Sequence, residues 1–216
     1  MYYYVYLLAS LIIFPAWLIL FIIRKSNRWS IISVGLYLRF LVIPLDFFWF
    51  KDYYQPLKYL SLATLLYQET IFYFLLGGIV PAIYIIPQNP NHKFKLINFI
   101  LTTVIIIGSM LMFTQGLKLN STYSIDIGLV ITALMILYLK PELIKKSILS
   151  AFSMMIIAII GYKILLMIFP NLFNDWWVLK NISGIFLLGI PLEEIIWFFL
   201  FGLSFAPIYD FWTASS

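Results

Sequence analysis

The sequence predicts an all-α integral membrane protein of about seven transmembrane helices, built as two parallel three-helix repeats joined by a connector helix. Three observations predict it. Hydrophobic residues make up 63% of the chain and charged residues only 11%, where a soluble domain is about half apolar and a quarter charged. The apolar residues fall into runs of the ~20 residues that a helix needs to cross hydrocarbon. Two distant stretches, YQETIFYFLLGGIVPAIY (67–84) and LEEIIWFFLFGLSFAPIY (192–209), align at a constant offset of 125.

Seven runs are long enough, at roughly 3–23, 30–50, 60–86, 96–115, 124–139, 146–169 and 182–209. The first opens MYYYVYLLASLIIF with no basic residue ahead of it, so it reads as a retained span and not a cleaved signal peptide. The fourth and fifth are divided only by TQGLKLNSTYSID. Lys and Arg set the orientation. The loops after spans one, three and five carry Arg24, Lys25, Arg28, Lys93, Lys95, Lys140, Lys145 and Lys146, against Lys51, Lys58, Lys118 and Lys180 on the other side. Basic residues stay on the cytoplasmic side. A multi-pass protein of the cell membrane is therefore expected, with its N-terminus outside and its C-terminus in the cytoplasm.

The offset pairs Gln68 with Glu193, Glu69 with Glu194, Phe74 with Phe199, Gly77 with Gly202 and Tyr84 with Tyr209. Just upstream, KDYYQPLKYLS resembles NDWWVLKNIS at a slightly smaller offset, and Asp46 falls near Asn171. Spans one to three thus correspond to spans five to seven, with each helix keeping its direction, as in a parallel repeat about the membrane normal. The expected division is a first repeat at 1–90, a connector at 91–120 and a second repeat at 121–216.

Several function classes are excluded. There is no Cys, which removes disulfides, thiolate metal sites and a Cys nucleophile. The one His, His92 in NPNHKFK, reads as a solvated loop residue, so multi-His metal or haem chemistry is not expected. No G-x-G-x-x-G dinucleotide fingerprint is present. No cofactor and no metal is expected. The net charge of +5 is accounted for by orienting loops and needs no nucleic acid.

Ionisable groups inside spans are expensive, which makes each a site candidate. Glu69 falls about ten residues into span three, and Glu193 and Glu194 about as deep in span seven. Arg39 and Lys163 occupy similar places in the neighbouring helices of the two repeats, and Asp46 lies nearer the outer end of span two. Structural ion pairs, Arg39 with Glu69 and Lys163 with a span-seven Glu, are one reading. Adjacent residues of a helix point about 100° apart, so one cation does not satisfy both Glu193 and Glu194. A carboxyl in hydrocarbon holds its proton because the charged form is desolvated, which favours a proton donor. Trp197 and Phe198 follow one turn after the pair, and Phe72 and Tyr73 flank Glu69. Aromatic faces stabilise cations, so an acid among rings suits protonation of an alkene.

These residues resemble a known family. PLEE at 191–194, followed by aromatic residues, is similar to the signature of the membrane-integral lycopene cyclases, whose related three-helix units are either separate or fused. The resemblance covers nearly the whole chain as a fused pair. It implies an intramolecular lyase or isomerase of carotenoid biosynthesis. A carboxylic acid protonates the terminal double bond of a linear carotenoid, the neighbouring double bond closes a six-membered ring, and a base removes a proton without net redox change. The catalytic candidates are Glu193, Glu194, Glu69 and Asp46. Trp197, Phe198, Phe72 and Tyr73 would stabilise the cation, with Arg39 and Lys163 as charge partners. Gln68 departs from the acidic pattern and leaves the first repeat with one acid in its motif, so the sequence does not decide whether both repeats are catalytic. The implied partners are a lipid-dissolved linear carotenoid, membrane lipid, and a second copy of the chain or other carotenoid enzymes.

Other readings fit less well. A prenyl-protein protease would need an Arg soon after the Glu pair and later His residues. A retinal protein would need a Lys near the middle of span seven. Neither is present. A transporter or a structural membrane subunit with midplane ion pairs is the alternative.

Overall fold

A computed structural model describes residues 2–84 and 93–213. His92 lies outside the described residues. The elements are α1 (Val5–Ile23), α2 (Arg28–Asp52), α3 (Leu62–Ile83), α4 (Leu96–Leu111), α5 (Ser121–Leu139), α6 (Ile144–Ile168), the short α7 (Leu172–Trp176), a hairpin of β1 (Phe186–Leu187) and β2 (Ile190–Pro191), α8 (Leu192–Phe205) and α9 (Ile208–Trp212). Among the described residues, seven helical segments are long and apolar enough to cross a membrane: Tyr2–Ile23, Lys25–Asp52, Leu62–Ile83, Leu96–Gly116, Ser121–Leu139, Pro141–Ile168 and Leu192–Trp212. The protein is all-α and multi-pass, as expected.

Local chemistry sets several boundaries. Ser61 caps α3 by accepting the Thr64 N–H, and Asn120 caps α5 by accepting the Thr122 N–H, each satisfying a backbone donor that the first turn leaves free. Pro15, Pro44 and Pro81 stand inside α1, α2 and α3, as membrane helices tolerate.

Two boundaries differ from expectation. The seventh span begins at Leu192 and not near 182. Residues 182–191 are apolar, but Gly184 and Gly189 adopt φ of 71° and 80°, which is where glycine turns a chain. Pro191 disfavours helix in the residue before it. The segment folds as a β1–β2 hairpin, which places Glu193 and Glu194 in the first turn of α8 and not ten residues deep. Lys146, expected in a loop, is buried within α6 and forms a 2.6 Å ion pair with Asp210 of α9.

α3 lies against α2 and α1, and α8 lies against α6 and α5, with α4 mainly on α5; α1–α3 with the loop after α2, and α5–α9, are called here the first and second units. The matched glycines mark the closest approaches. A Cβ on Gly77 would stand 2.8 Å from the Val34 carbonyl oxygen, and a Cβ on Gly202 2.6 Å from that of Ser150. Both positions therefore let helix backbones touch.

The loops that follow α2 and α6 pair with each other reciprocally. The Gln55 N–H donates to the Trp176 carbonyl at 2.6 Å, and the Val178 N–H donates to the Tyr53 carbonyl at 2.8 Å. The helix starts cross over in the same way. The Tyr2 hydroxyl, ahead of α1, donates to Asp175, while the Ser121 N–H of α5 donates to Asp52 at 2.9 Å. Each unit thus offers its aspartate to the other, a pseudo-two-fold exchange between KDYY and NDWW.

Candidate active site

Between the two units lies a cavity of about 110 Å³. Tyr6 and Ile13 of α1, Tyr73 of α3, Tyr162 of α6 and Glu194 and Phe198 of α8 contribute to its wall, and the paired loops add Tyr53, Tyr54, Trp176 and Trp177. The lining is apolar and aromatic, and among the described residues Glu194 is its one carboxyl.

Glu194 is 7% exposed. Its Oε1 accepts from the Tyr53 hydroxyl at 2.5 Å and from Trp177 Nε1 at 2.8 Å, and its Oε2 bonds the Tyr162 hydroxyl. Tyr53 comes from the first unit, Trp177 and Tyr162 from the second, so the carboxyl is oriented by both. The indole N–H is a donor only, whereas a phenol both donates and accepts. Oε1 therefore has a partner that can only donate, whereas Oε2 faces only a phenol. Burial first, and next the Glu194 carboxyl, pushes the Tyr53 hydroxyl well above the ordinary phenol range. Burial does the same to Tyr54, with Tyr6 and Asp46 adding to it. Both remain neutral hydrogen-bonding groups at physiological pH.

Glu193 points elsewhere. Its Oε1 accepts from the Ser183 N–H at 2.7 Å and from the Tyr123 hydroxyl at 3.0 Å, and it does not line the cavity. Its counterpart Gln68 is held in a matching way: it donates to the Tyr3 carbonyl at 2.6 Å and accepts from the Leu7 N–H at 3.2 Å. Each side chain ties the third helix of its unit to the start of the first. In the first unit an amide does this, so the tie itself needs no titratable proton.

Glu69 and Asp46 are 0% and 2% exposed and lie behind the cavity wall. The Tyr54 hydroxyl stands 3.1 Å from Glu69 Oε1 and 3.3 Å from Asp46 Oδ1. Tyr54 with Glu69 repeats Trp177 with Glu194 in the other unit. Asp46 follows Val34 by as many residues as Tyr162 follows Ser150, so it occupies the place of Tyr162. Asp46 Oδ2 and Glu69 Oε2 have no hydrogen-bond partner.

The expected charge partners are arranged differently. Arg39 is buried and donates to the Leu66 carbonyl at 3.3 Å, with Nη1 unpartnered and no carboxylate within ion-pair distance. Lys163 is exposed on α6 and donates to the Leu188 carbonyl of the hairpin at 3.1 Å; it reaches neither Glu193 nor Glu194. The hairpin that replaces the predicted start of span seven supplies the acceptor.

The aromatic candidates do converge. Trp197, Phe198, Phe72 and Tyr73 all line the cavity. Trp197 stacks on Phe201 with ring centroids 5.2 Å apart and planes 3° apart, and Phe198 meets Tyr162 edge-on at 6.0 Å. Phe72 meets Tyr6 edge-on at 5.5 Å.

Sequence reasoning missed Tyr53, Tyr54, Tyr162, Trp177 and Asp126. Asp126 is a buried acid of α5, has an unpartnered Oδ1 and lies within electrostatic reach of Glu194 and Glu193. The YY and WW pairs were visible as part of the repeat. Nothing in the sequence shows that the two loops pair and turn their rings onto one carboxyl.

Residues 120–212, the span from α5 to α9, match the family model described as lycopene cyclase. No curated protein matches, and no solved structure matches.

Proposed function

We propose, from the match of residues 120–212 to the lycopene cyclase family model, that the protein is a carotenoid cyclase in which one cavity, shared by both units, closes a ring by acid catalysis with Glu194 as the acid. The observation that carries this reading is the position of Glu194. It is the carboxyl exposed to the cavity, it is oriented by donors from both units, and its neighbour Glu193 fills a place that an amide fills in the first unit.

The geometry supports the following chemistry. The Glu194 Oε2 proton adds to the terminal double bond of a linear carotenoid end group, leaving a tertiary cation. Trp197, Phe198, Phe72 and Tyr73 present ring faces and edges around that charge, and ring faces attract cations. The neighbouring double bond supplies the electron pair of the new carbon–carbon bond. Loss of a proton from carbon restores an alkene, so the product is an isomer of the substrate and no electrons enter or leave. The apolar wall keeps water from capturing the cation. The reading includes a cell-membrane location with the N-terminus outside, units at 1–90 and 121–216 about a connector at 91–120, and a substrate that arrives dissolved in the bilayer.

Expression in a lycopene-accumulating bacterium tests it. The linear pigment is expected to give way to cyclic pigment. Unchanged linear pigment with the protein present at normal membrane levels would overturn the reading.

A further inference from the structure

The acid step leaves the first unit's carboxyls unused. Asp46 and Glu69 are fully buried, each keeps an oxygen without a partner, and among the tyrosines Tyr6, Tyr54 and Tyr73 that stand between them and the cavity, Tyr54 is the one whose hydroxyl bonds both carboxyls. Two carboxyls at one buried site do not both ionise; both here meet the Tyr54 hydroxyl, and Glu69 also neighbours the Tyr6 hydroxyl. The Arg39 guanidinium, itself buried with Nη1 unpartnered, lies within electrostatic reach of both. A pair that carries at most one negative charge has an oxygen for one more proton.

Resting on the cyclase reading, we propose that Tyr54, backed by the Asp46–Glu69 pair, is the group that takes the proton from the ring-closed cation. The Tyr54 oxygen accepts a proton from the carbon next to the cationic centre while its own hydroxyl proton passes to a carboxylate oxygen of the pair. The electrons of the broken C–H bond become the ring double bond. Glu194 has then given one proton and the pair has gained one. Exchange with bulk water, one proton released by the pair and one taken up by Glu194, restores the resting state.

The duplicated fold thus divides the reaction between its units. At equivalent positions the second unit presents its carboxyl to the cavity, held by Trp177 and Tyr162, and the first unit keeps its carboxyls behind Tyr54. Which hydrogen of the cation lies nearest the Tyr54 oxygen sets the position of the ring double bond.

The test is turnover in heavy water by membranes carrying Tyr54→Phe, Glu69→Gln or Asp46→Asn, with Glu194→Gln beside them and membrane abundance measured throughout. Protonation by Glu194 still occurs in the first three, and a cation that is not deprotonated reverts. Tyr54→Phe and Glu69→Gln are expected to lower cyclic product at least tenfold, in line with loss of a general base. The recovered linear carotenoid is expected to carry more end-group deuterium than with the wild-type protein, and with Glu194→Gln it should carry none. Asp46→Asn keeps the shape of the pair and is expected to show the same enrichment in weaker form. Wild-type turnover and ring-type ratio in both Tyr54→Phe and Glu69→Gln would overturn the proposal. So would linear carotenoid recovered without deuterium from those two variants at normal abundance. Failure of the cyclase reading looks different, since the wild-type protein itself then yields no cyclic pigment.

Discussion

Replacing Glu193 by Gln converts the tie of the second unit into that of the first. The amide oxygen keeps both contacts of Oε1, the Ser183 N–H at 2.7 Å and the Tyr123 hydroxyl at 3.0 Å, and the amide nitrogen takes the place of Oε2, which has no partner. What is lost is charge assistance, about 1 kcal/mol per hydrogen bond, so roughly 2 kcal/mol for the two. The lower desolvation cost of an amide offsets part of that. The expected outcome is a modest fall in membrane abundance, read by quantitative blotting, with cyclic pigment per molecule within about threefold of wild type. Glu193→Ala removes the acceptor altogether and strands a backbone donor, which adds about 1–3 kcal/mol. A loss of 10² or more in turnover per molecule for Glu193→Gln, the range expected for a general acid, would refute the division of roles between the two glutamates.

Other consequences follow from the packing and the hydrogen bonds. Gly202→Ala and Gly77→Ala place a Cβ 2.6 Å and 2.8 Å from facing carbonyl oxygens; separating the helices costs about 1–3 kcal/mol, so both variants should melt earlier in detergent, whereas Gly161→Ala, which has open space, should not. Tyr53→Phe removes the donor that crosses from the first unit to Glu194. It should lower turnover per molecule several-fold, for about 1 kcal/mol, and unchanged turnover would mean that this contact does not orient the acid. Burial raises the hydroxyls of Tyr53 and Tyr54 above their unfolded value of about 10. The unfolded chain then loses protons first as pH rises. The stability they contribute is fully present below pH 10 and falls above it, as denaturation in detergent from pH 8 to 11 would show; stability that stays flat across that range contradicts it.

Much of this architecture is legible in the sequence because a bilayer imposes long apolar runs and because matching residues recur at one offset. Gly77 and Gly202 turned out to be equivalent close contacts, and the four aromatic candidates share one cavity. The start of span seven was not legible from hydropathy, since GIFLLGI is as apolar as a helix; only Gly184, Gly189 and Pro191 signal the hairpin. That error carried over to the charges. Depth along a helix does not say which way a side chain faces, so Lys163 was matched to a glutamate when it lies on an exposed face and binds the hairpin. Asp126 stands close to the predicted start of span five, where an acid reads as an interface residue, and only packing shows it buried near the paired glutamates. The two tyrosines and two tryptophans of the matched loops were legible as a repeat but not as a site, because their convergence is a tertiary pairing between residues more than a hundred positions apart.

The central claim is that Glu194 supplies the proton, and Glu194→Gln tests it most directly. The amide retains the shape of the carboxyl and keeps an oxygen for the Tyr53 and Trp177 donors, but has no transferable acid proton. Measured in a lycopene-accumulating bacterium as cyclic pigment per molecule of membrane protein, the account predicts normal abundance, accumulated linear carotenoid and a loss of about 10²–10⁴ in turnover. Cyclic pigment at wild-type yield per molecule from Glu194→Gln would contradict it.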